Sequence, residues 1–151
     1  MATITQNREE HVIDALNELL RGEISAVETY DQALQRMDDD VALRADLVTC
    51  RSSHAQRVER LRSTITQLGG RPSEGSGAWG AFAKFLEGTA QALGAKAAIT
   101  MLEEGEDHGL QEYRENLKKL DGDTRMLVAS ELLPAQQQTH DTVSAIKHSL
   151  T

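Results

Sequence analysis

Two glutamates in this chain sit in the same short pattern, a Gly-Glu pair followed after six further residues by a tyrosine. The pattern occurs with Glu23 and Tyr30 and again with Glu106 and Tyr113. Glutamate carboxylates are ligands of iron, manganese and zinc, and two carboxylates with two imidazoles suit any of these ions. The repeat therefore indicates an internal duplication that builds one corner of a buried polar or metal site twice.

The periodicity of the surrounding sequence predicts where these glutamates lie. Apolar residues recur at alternating steps of three and four in four segments, which is the seam pattern of a helix bundle. The predicted helices cover about residues 5–37, 41–68, 94–120 and 123–150, with a crossover over about 69–93. Each seam carries one ionisable residue in place of an apolar one. In chain order these residues are Glu23, His54, Glu106 and His140.

These four seam residues are predicted to meet near the middle of the bundle. Glu23 lies about as far before the end of its helix as His54 lies after the start of the next, so an antiparallel pair holds them at one height. Glu106 and His140 agree to within about one helical turn. Charges buried in an apolar core need a partner, and a single Fe, Mn or Zn ion bound by all four side chains provides one.

Composition sets the fold class. Only 3% of the 151 residues are aromatic and two are proline, and the abundant Ala, Leu, Glu, Gln and Arg favour helices over strands. This length supports one domain with a real core. We therefore expect an all-α, antiparallel four-helix bundle as a single domain over residues 1–151. Pro134 is expected to kink or split the fourth helix, because it lacks a backbone N–H group.

Charge and targeting signals limit the partners and the compartment. The net charge of −8 opposes non-specific binding to nucleic acid and to anionic membranes. Cys50 is the sole cysteine, which excludes an intramolecular disulfide. No signal peptide is recognisable, and no apolar run reaches the ~18–20 residues that span a bilayer. We expect a cytoplasmic protein, and an exposed apolar helix face with the Trp79 segment permits a homodimer.

These features resemble the ferritin-like superfamily, in which two helices each contribute a Glu and two others each contribute Glu-x-x-His. More narrowly, three strings look like a bacterial ferritin-like domain family of unknown function. They are EEGEDHGLQEYRENL, LGGRPSEGSGAWG and QTHDTV. The resemblance implies a four-helix bundle, and the order of the predicted segments makes it two helical hairpins joined by a long crossover connection. It does not supply an activity.

The chain departs from the dinuclear pattern at two positions. Arg51 and Gln137 stand where the glutamates of the two Glu-x-x-His motifs would begin, and in dinuclear sites of this superfamily those glutamates help to bridge the metals. Their replacement argues against a di-iron centre and leaves a mononuclear site. The residues expected to surround the ligands are Tyr30, Tyr113, Arg51, Gln137 and Glu103.

Two functions of different classes remain open from the sequence. The first is a metal-binding bundle with a stress- or metal-related role. No catalytic residue is identified, and an enzymatic version is an iron-dependent oxidoreductase acting on oxygen or peroxide. The alternative is a non-catalytic structural or interaction bundle, in which Arg51 replaces the metal as positive partner of the carboxylates. The direction of the Arg51 side chain discriminates between them.

Overall fold

The computed structural model describes residues 2–35, 40–77 and 80–150, with side chains described in 3–35, 40–77 and 94–150. The elements are α1 (Ala2–Leu34), α2 (Val41–Gln67), α3 (Gly80–Leu117), α4 (Gly122–Leu127), a π-helical turn (Val128–Leu132) and α5 (Leu133–Ser149). The predicted end of the first helix at Met37 lies outside the described residues, and so does Trp79. Within the described ranges, every helix lacks an apolar run sufficient to span a bilayer.

The helices form an antiparallel four-helix bundle. α1 packs against α2 and α3, while α5 packs against α3 and more sparsely against α2. Two hydrophobic clusters fill the two ends of the bundle. They include Leu34, Leu47, Ile99 and Val143 at one end and Leu16, Leu61, Leu120 and Leu132 at the other. Because α2 and α3 both run from the first end to the second, the chain between them must return along the bundle, as a long crossover does.

The first part of that crossover, residues 69–77, lies along α1. The Asn17 amide donates to the Arg71 carbonyl at 3.0 Å, and its oxygen accepts from the Ser73 backbone N–H at 2.8 Å. One turn further along α1, Arg21 donates to the Ser73 hydroxyl at 3.0 Å. These bonds hold an irregular segment against a helix face, so its backbone polar groups have protein partners.

Local sequence signals account for the main helix boundaries. The Asp40 carboxylate accepts from the Leu43 backbone N–H at 3.0 Å and caps α2, as expected of an acidic turn before a helix. Gly94 has φ 78° and ψ −168°, a conformation that favours glycine, and it breaks α3 at the predicted start of the third bundle helix.

The predicted fourth helix is interrupted, as Pro134 implied. Pro134 is the second residue of α5, which directly follows the π-helical turn. At the end of that turn the Leu133 N–H bonds to the Val128 carbonyl five residues back. The extra residue in this turn changes which side chains of the segment face the core. The apolar spacing of the fourth segment alone would place Met126 on the buried seam, and this is wrong, because Met126 is 68% exposed. The buried residues are Val128, Leu132, Gln136, Thr139 and Val143.

The contact between the crossover and α1 is testable at Asn17. The change Asn17→Ala removes two partly exposed hydrogen bonds to the loop backbone and should lower the free energy of unfolding by about 1–2 kcal/mol. Urea denaturation measures the change. Asn7→Ala, on the exposed N-terminal part of the same helix, is the matched control and should change stability by less than about 0.5 kcal/mol. Equal effects from the two variants would contradict this role of the loop.

Candidate functional site

Three of the four ionisable seam residues meet between the two hydrophobic clusters. The Nδ1 atom of His54 lies 2.7 Å from Glu23 Oε2, and its Nε2 atom lies 2.6 Å from Glu106 Oε1. All three residues are only 2–3% exposed. The imidazole of α2 thus bridges the carboxylates of α1 and α3, and the predicted convergence of Glu23, His54 and Glu106 is confirmed.

A second cation completes this centre, and it is Arg57. The Arg57 Nη1 atom donates to Glu23 Oε1 at 3.0 Å and also to Gln136 Oε1. The Nη2 atom donates to Thr139 Oγ1 at 3.1 Å. The residue is 3% exposed, so its guanidinium is enclosed in the bundle. The predicted cation, Arg51, is instead partly exposed and pairs with Asp31 on α1, so the prediction that Arg51 is the positive partner of the buried glutamates is wrong.

The two tyrosines of the repeated pattern bond across the repeat. Tyr30 on α1 donates to Glu106 Oε1 on α3 at 2.7 Å, and Tyr113 on α3 donates to Glu23 Oε1 on α1 at 2.8 Å. Because α1 and α3 are antiparallel, the same Glu-to-Tyr spacing on each helix brings each phenol to the partner helix's carboxylate. The tyrosines therefore surround the glutamates as predicted, and burial raises the pKa of each phenol well above its ordinary value.

Glu106 receives its remaining donors from α5. The Gln136 amide donates at 2.9 Å both to the Glu106 backbone carbonyl and to Glu106 Oε2, and the Thr139 hydroxyl donates to Glu106 Oε2 at 2.8 Å. Gly109 makes room for this approach, because a Cβ atom there would lie 2.5 Å from the Gln136 amide nitrogen. α5 thus contributes neutral hydrogen-bond donors to the centre.

The resulting buried ionic cluster consists of Glu23, His54, Arg57 and Glu106. Its carboxylate oxygens all have hydrogen-bond donors, and its charges balance. Each of the four carboxylate oxygens accepts at least one hydrogen bond. Both ring nitrogens of His54 face carboxylate oxygens, which requires two N–H donors and hence an imidazolium. Two carboxylates and two cations then sum to zero charge, which is how charged groups persist in a low-dielectric core.

The pKa shifts agree with this charge state. Burial alone would raise the pKa of Glu23, but the Arg57 guanidinium and His54 imidazolium bring it below its ordinary value. Burial would also raise the pKa of Glu106, but the charge and hydrogen bond of His54, and the hydrogen bond from Tyr30, bring that pKa below its ordinary value. For His54, burial would lower the pKa, yet the two carboxylates raise it. Each group thus favours its charged form because its partners are charged.

His140 does not join the cluster. Its side chain is 19% exposed and lies near the carboxylates of Asp107 and Asp141. Between Gln136 and Val143, the inward position can be residue 139 or residue 140. Residue 139 gives steps of three and then four, residue 140 gives steps of four and then three, and both are compatible with the seam of a bundle helix. The fold places Thr139 inward, so the predicted set of two glutamates and two histidines does not assemble.

Two further predicted neighbours also lie elsewhere. Gln137 donates to Asp141 at 2.9 Å on the exposed face of α5. Glu103 accepts from Lys147 at 2.8 Å, which ties α3 to α5 at their periphery. The residues that sequence reasoning missed are Arg57, Gln136 as a hydrogen-bond donor, and Thr139. Arg57 lies three residues after His54 and Arg51 three residues before it, so helical spacing alone does not single out Arg57.

A narrow cavity of about 40 Å³ lies beside the cluster between α1 and α3. Its walls include the two glycines of the repeated pattern, Gly22 and Gly105, together with Gly109 and Ala26. Small side chains at these positions leave this space between the two helices. The space suits a few water molecules and is far below the ~300–1,000 Å³ of ordinary small-molecule sites.

The side chains at the centre do not fit a bound metal. An imidazolium has no lone pair to offer, and the Arg57 guanidinium would lie beside the ion and repel it. Gln136 and Thr139 act as donors toward Glu106, so they strengthen the carboxylate's role as a hydrogen-bond acceptor. Across the described residues, no group of three or more His, Cys, Asp or Glu side chains is arranged to hold a metal ion.

Comparison with known proteins agrees with the fold. The family model described as "Domain of unknown function (DUF2383)" matches residues 11–119, from α1 to the end of α3. Among solved structures, the chain is similar to a ferritin-like, diiron-carboxylate protein from Bacillus anthracis str. Ames. The TM-score is 0.73 at 15% identity, over 93% of this chain and 97% of that one. Such low identity establishes the shared ferritin-like fold alone. No curated protein matches the sequence.

Removing either phenol should weaken the bundle to a similar extent. Tyr30→Phe and Tyr113→Phe each take one hydrogen bond from a buried carboxylate and should cost about 1.5–3 kcal/mol of unfolding free energy, the range for bonds to charged groups. Chemical denaturation measures both. Thr29→Val is the control, since that buried hydroxyl donates only to the Ser25 carbonyl of its own helix. Tyrosine variants no more costly than the control would contradict the cross-repeat bonds.

The stability of the cluster should depend on pH in both directions. The carboxylates contribute stability above their ordinary pKa of 4.5 and lose it as pH falls through their lowered folded-state values. His54 contributes stability below its ordinary pKa of 6.5 and loses it as pH rises through its raised folded-state value. The contribution of the cluster is therefore greatest between pH 4.5 and 6.5.

Urea unfolding across pH 4–10 measures this dependence. His54→Gln should remove most of the decrease in unfolding free energy at alkaline pH, because the variant lacks the imidazolium whose deprotonation causes it. His140→Gln, which removes a partly exposed histidine, should leave most of that decline in place. An unchanged alkaline slope in His54→Gln would show that the imidazolium is not the group responsible.

Proposed function

Because the chain belongs to a family of ferritin-like domains whose function is not assigned, we propose a role that follows from its own centre. The protein is a non-catalytic structural or interaction bundle whose core is held by a metal-free ionic cluster. The single observation that carries this proposal is Arg57. Its guanidinium donates to Glu23 at 3.0 Å inside the bundle and supplies the positive charge that a metal would otherwise supply.

The enclosure of the cluster supports a non-catalytic role. Its four charged residues are 2–3% exposed, and their hydrogen-bonding groups face one another. A group that transfers protons or electrons to a substrate must reach that substrate within hydrogen-bond distance. The adjoining cavity of about 40 Å³ is too small to bring a substrate there.

The cluster instead suits a role in specifying the arrangement of the helices. It forms a polar layer between two hydrophobic clusters, and its bonds join α1, α2, α3 and α5. A shift of any helix by one turn would leave buried charges unpaired, at a cost of about 3–5 kcal/mol for each broken pair. The apolar ends alone would tolerate such a shift more easily. The polar layer therefore gives a rigid bundle with one register.

The competing function is binding of a single Fe, Mn or Zn ion by the same glutamates and His54. Elemental mass spectrometry on tag-free protein, before and after incubation with each ion and dialysis, separates the two. The proposal expects metal far below one equivalent per chain in every sample. The matched variants are His54→Ala, which removes the bridging imidazole, and His140→Ala, which removes a histidine outside the cluster. Stoichiometric metal that is lost in His54→Ala and kept in His140→Ala would overturn the proposal.

A further inference from the structure

We infer that a surface pocket between α2 and the segment from the π-helical turn to α5 binds a small zwitterion, an α-amino acid with a short aliphatic side chain. The pocket has a volume of about 250 Å³. It lies on the side of the bundle where α2 and α5 pack only sparsely against each other. This inference goes beyond the proposed function, because the two glutamates of the buried cluster take no part in the pocket.

The π-helical turn builds the wall of the pocket that faces α2. Glu131 and Leu132 belong to this turn, and Ala135 follows in α5. π-Helical turns within α-helices are frequently found at functional sites. This wall combines a carboxylate with two apolar side chains, so it can contact a cationic group and an aliphatic group of one ligand.

The pocket carries one charge of each sign near its opening. Arg60 Nε on α2 donates to Glu131 Oε2 at 2.8 Å, and the two side chains are 49% and 54% exposed. Within the described residues, no hydrogen bond engages the two Nη nitrogens of Arg60 or the Oε1 atom of Glu131. The ion pair therefore uses one atom of each partner and leaves a donor edge and an acceptor oxygen for a ligand.

Charge complementarity favours a zwitterion over a simple ion. A carboxylate alone at Arg60 would lie close to the negative charge of Glu131, and an ammonium alone at Glu131 would lie close to Arg60. A zwitterion places its carboxylate at the Arg60 Nη groups and its ammonium at Glu131 Oε1. The four charges then alternate in sign, and the existing pair stays intact.

Two further side chains of α2 favour the carboxylate at this side of the pocket. Ser53 Oγ accepts from Arg57 Nη2 at 3.3 Å, so the Ser53 hydroxyl proton points away from Arg57 and can rotate to donate to a ligand. The Arg57 guanidinium forms part of the pocket wall, whereas Glu23 and Glu106 do not. The positive member of the buried cluster is thus the nearer one to the pocket.

An NMR titration of isotope-labelled protein at neutral pH and low ionic strength tests the ligand class with three compounds of one carbon skeleton. L-Valine carries both charges, 3-methylbutanoate lacks the ammonium, and isobutylamine lacks the carboxylate. L-Valine should shift the backbone amide signals of the pocket residues in a saturable manner. Each of the other two should bind about fivefold more weakly, because each loses one half-exposed ionic contact.

Three variants locate the binding. Arg60→Gln and Glu131→Gln each remove one charge of the pocket, and each should weaken L-valine binding about fivefold. Glu131→Gln should not weaken binding of 3-methylbutanoate, which has no ammonium. The matched control is Arg62→Gln, since Arg62 lies on the same helix and pairs with Glu59 outside the pocket. This control should bind L-valine as the wild type does.

Each contrary result overturns the inference. L-Valine that causes no saturable shifts shows that the pocket does not bind this class. Equal affinity for L-valine and 3-methylbutanoate shows a carboxylate site in place of a zwitterion site. Unchanged L-valine binding in Arg60→Gln and Glu131→Gln shows that the ligand lies elsewhere. The comparison of the three ligands uses wild type alone, so it decides the inference even if a variant does not fold. All these results leave the metal-free centre untouched, because that proposal is tested by metal content.

Discussion

A histidine held between two glutamates is the interaction on which the centre of this bundle depends. Both ring nitrogens of His54 lie within 2.7 Å of carboxylate oxygens, so the ring is an imidazolium. One imidazolium cannot neutralise two carboxylates, and the excess negative charge makes a second buried cation necessary. Arg57 provides that charge, and the tyrosines, Gln136 and Thr139 provide donors for the lone pairs that remain.

The internal duplication explains the symmetric part of this network. The Glu-to-Tyr spacing is the same on α1 and α3, and the antiparallel arrangement of these helices turns two identical patterns into reciprocal bonds. The other two helices break the symmetry. α2 contributes both cations, His54 and Arg57, whereas α5 contributes the neutral donors Gln136 and Thr139. A symmetric centre with a histidine from each of these helices would suit an ion on the axis. The asymmetric centre instead carries its positive charge within α2.

In the metal-free bundle that we propose, the middle of the ferritin-like fold is an ionic cluster of side chains. Carboxylates that lie close together in an apolar core need positive charge beside them to offset the cost of burial. In the described structure, the side chains of His54 and Arg57 supply that charge. Protein cations also bring directional hydrogen bonds, so the same charge balance serves to set the register of four helices.

The sequence by itself determined the fold class, the four helical segments and the depth of Glu23, His54 and Glu106. Apolar spacing marks the helices, and counting residues from the helix ends gives the height of each side chain in an antiparallel pair. It also placed both tyrosines beside the glutamates. It did not determine which of Thr139 and His140 faces inward, since both continue the seam equally well. It also pointed to Arg51 where Arg57 is the buried cation. Only the tertiary structure decided these points. The π-helical turn before Pro134 sets the rotation of α5, and the position of Gln136 and Thr139 opposite α2 gives Arg57, and not Arg51, its hydrogen-bond partners.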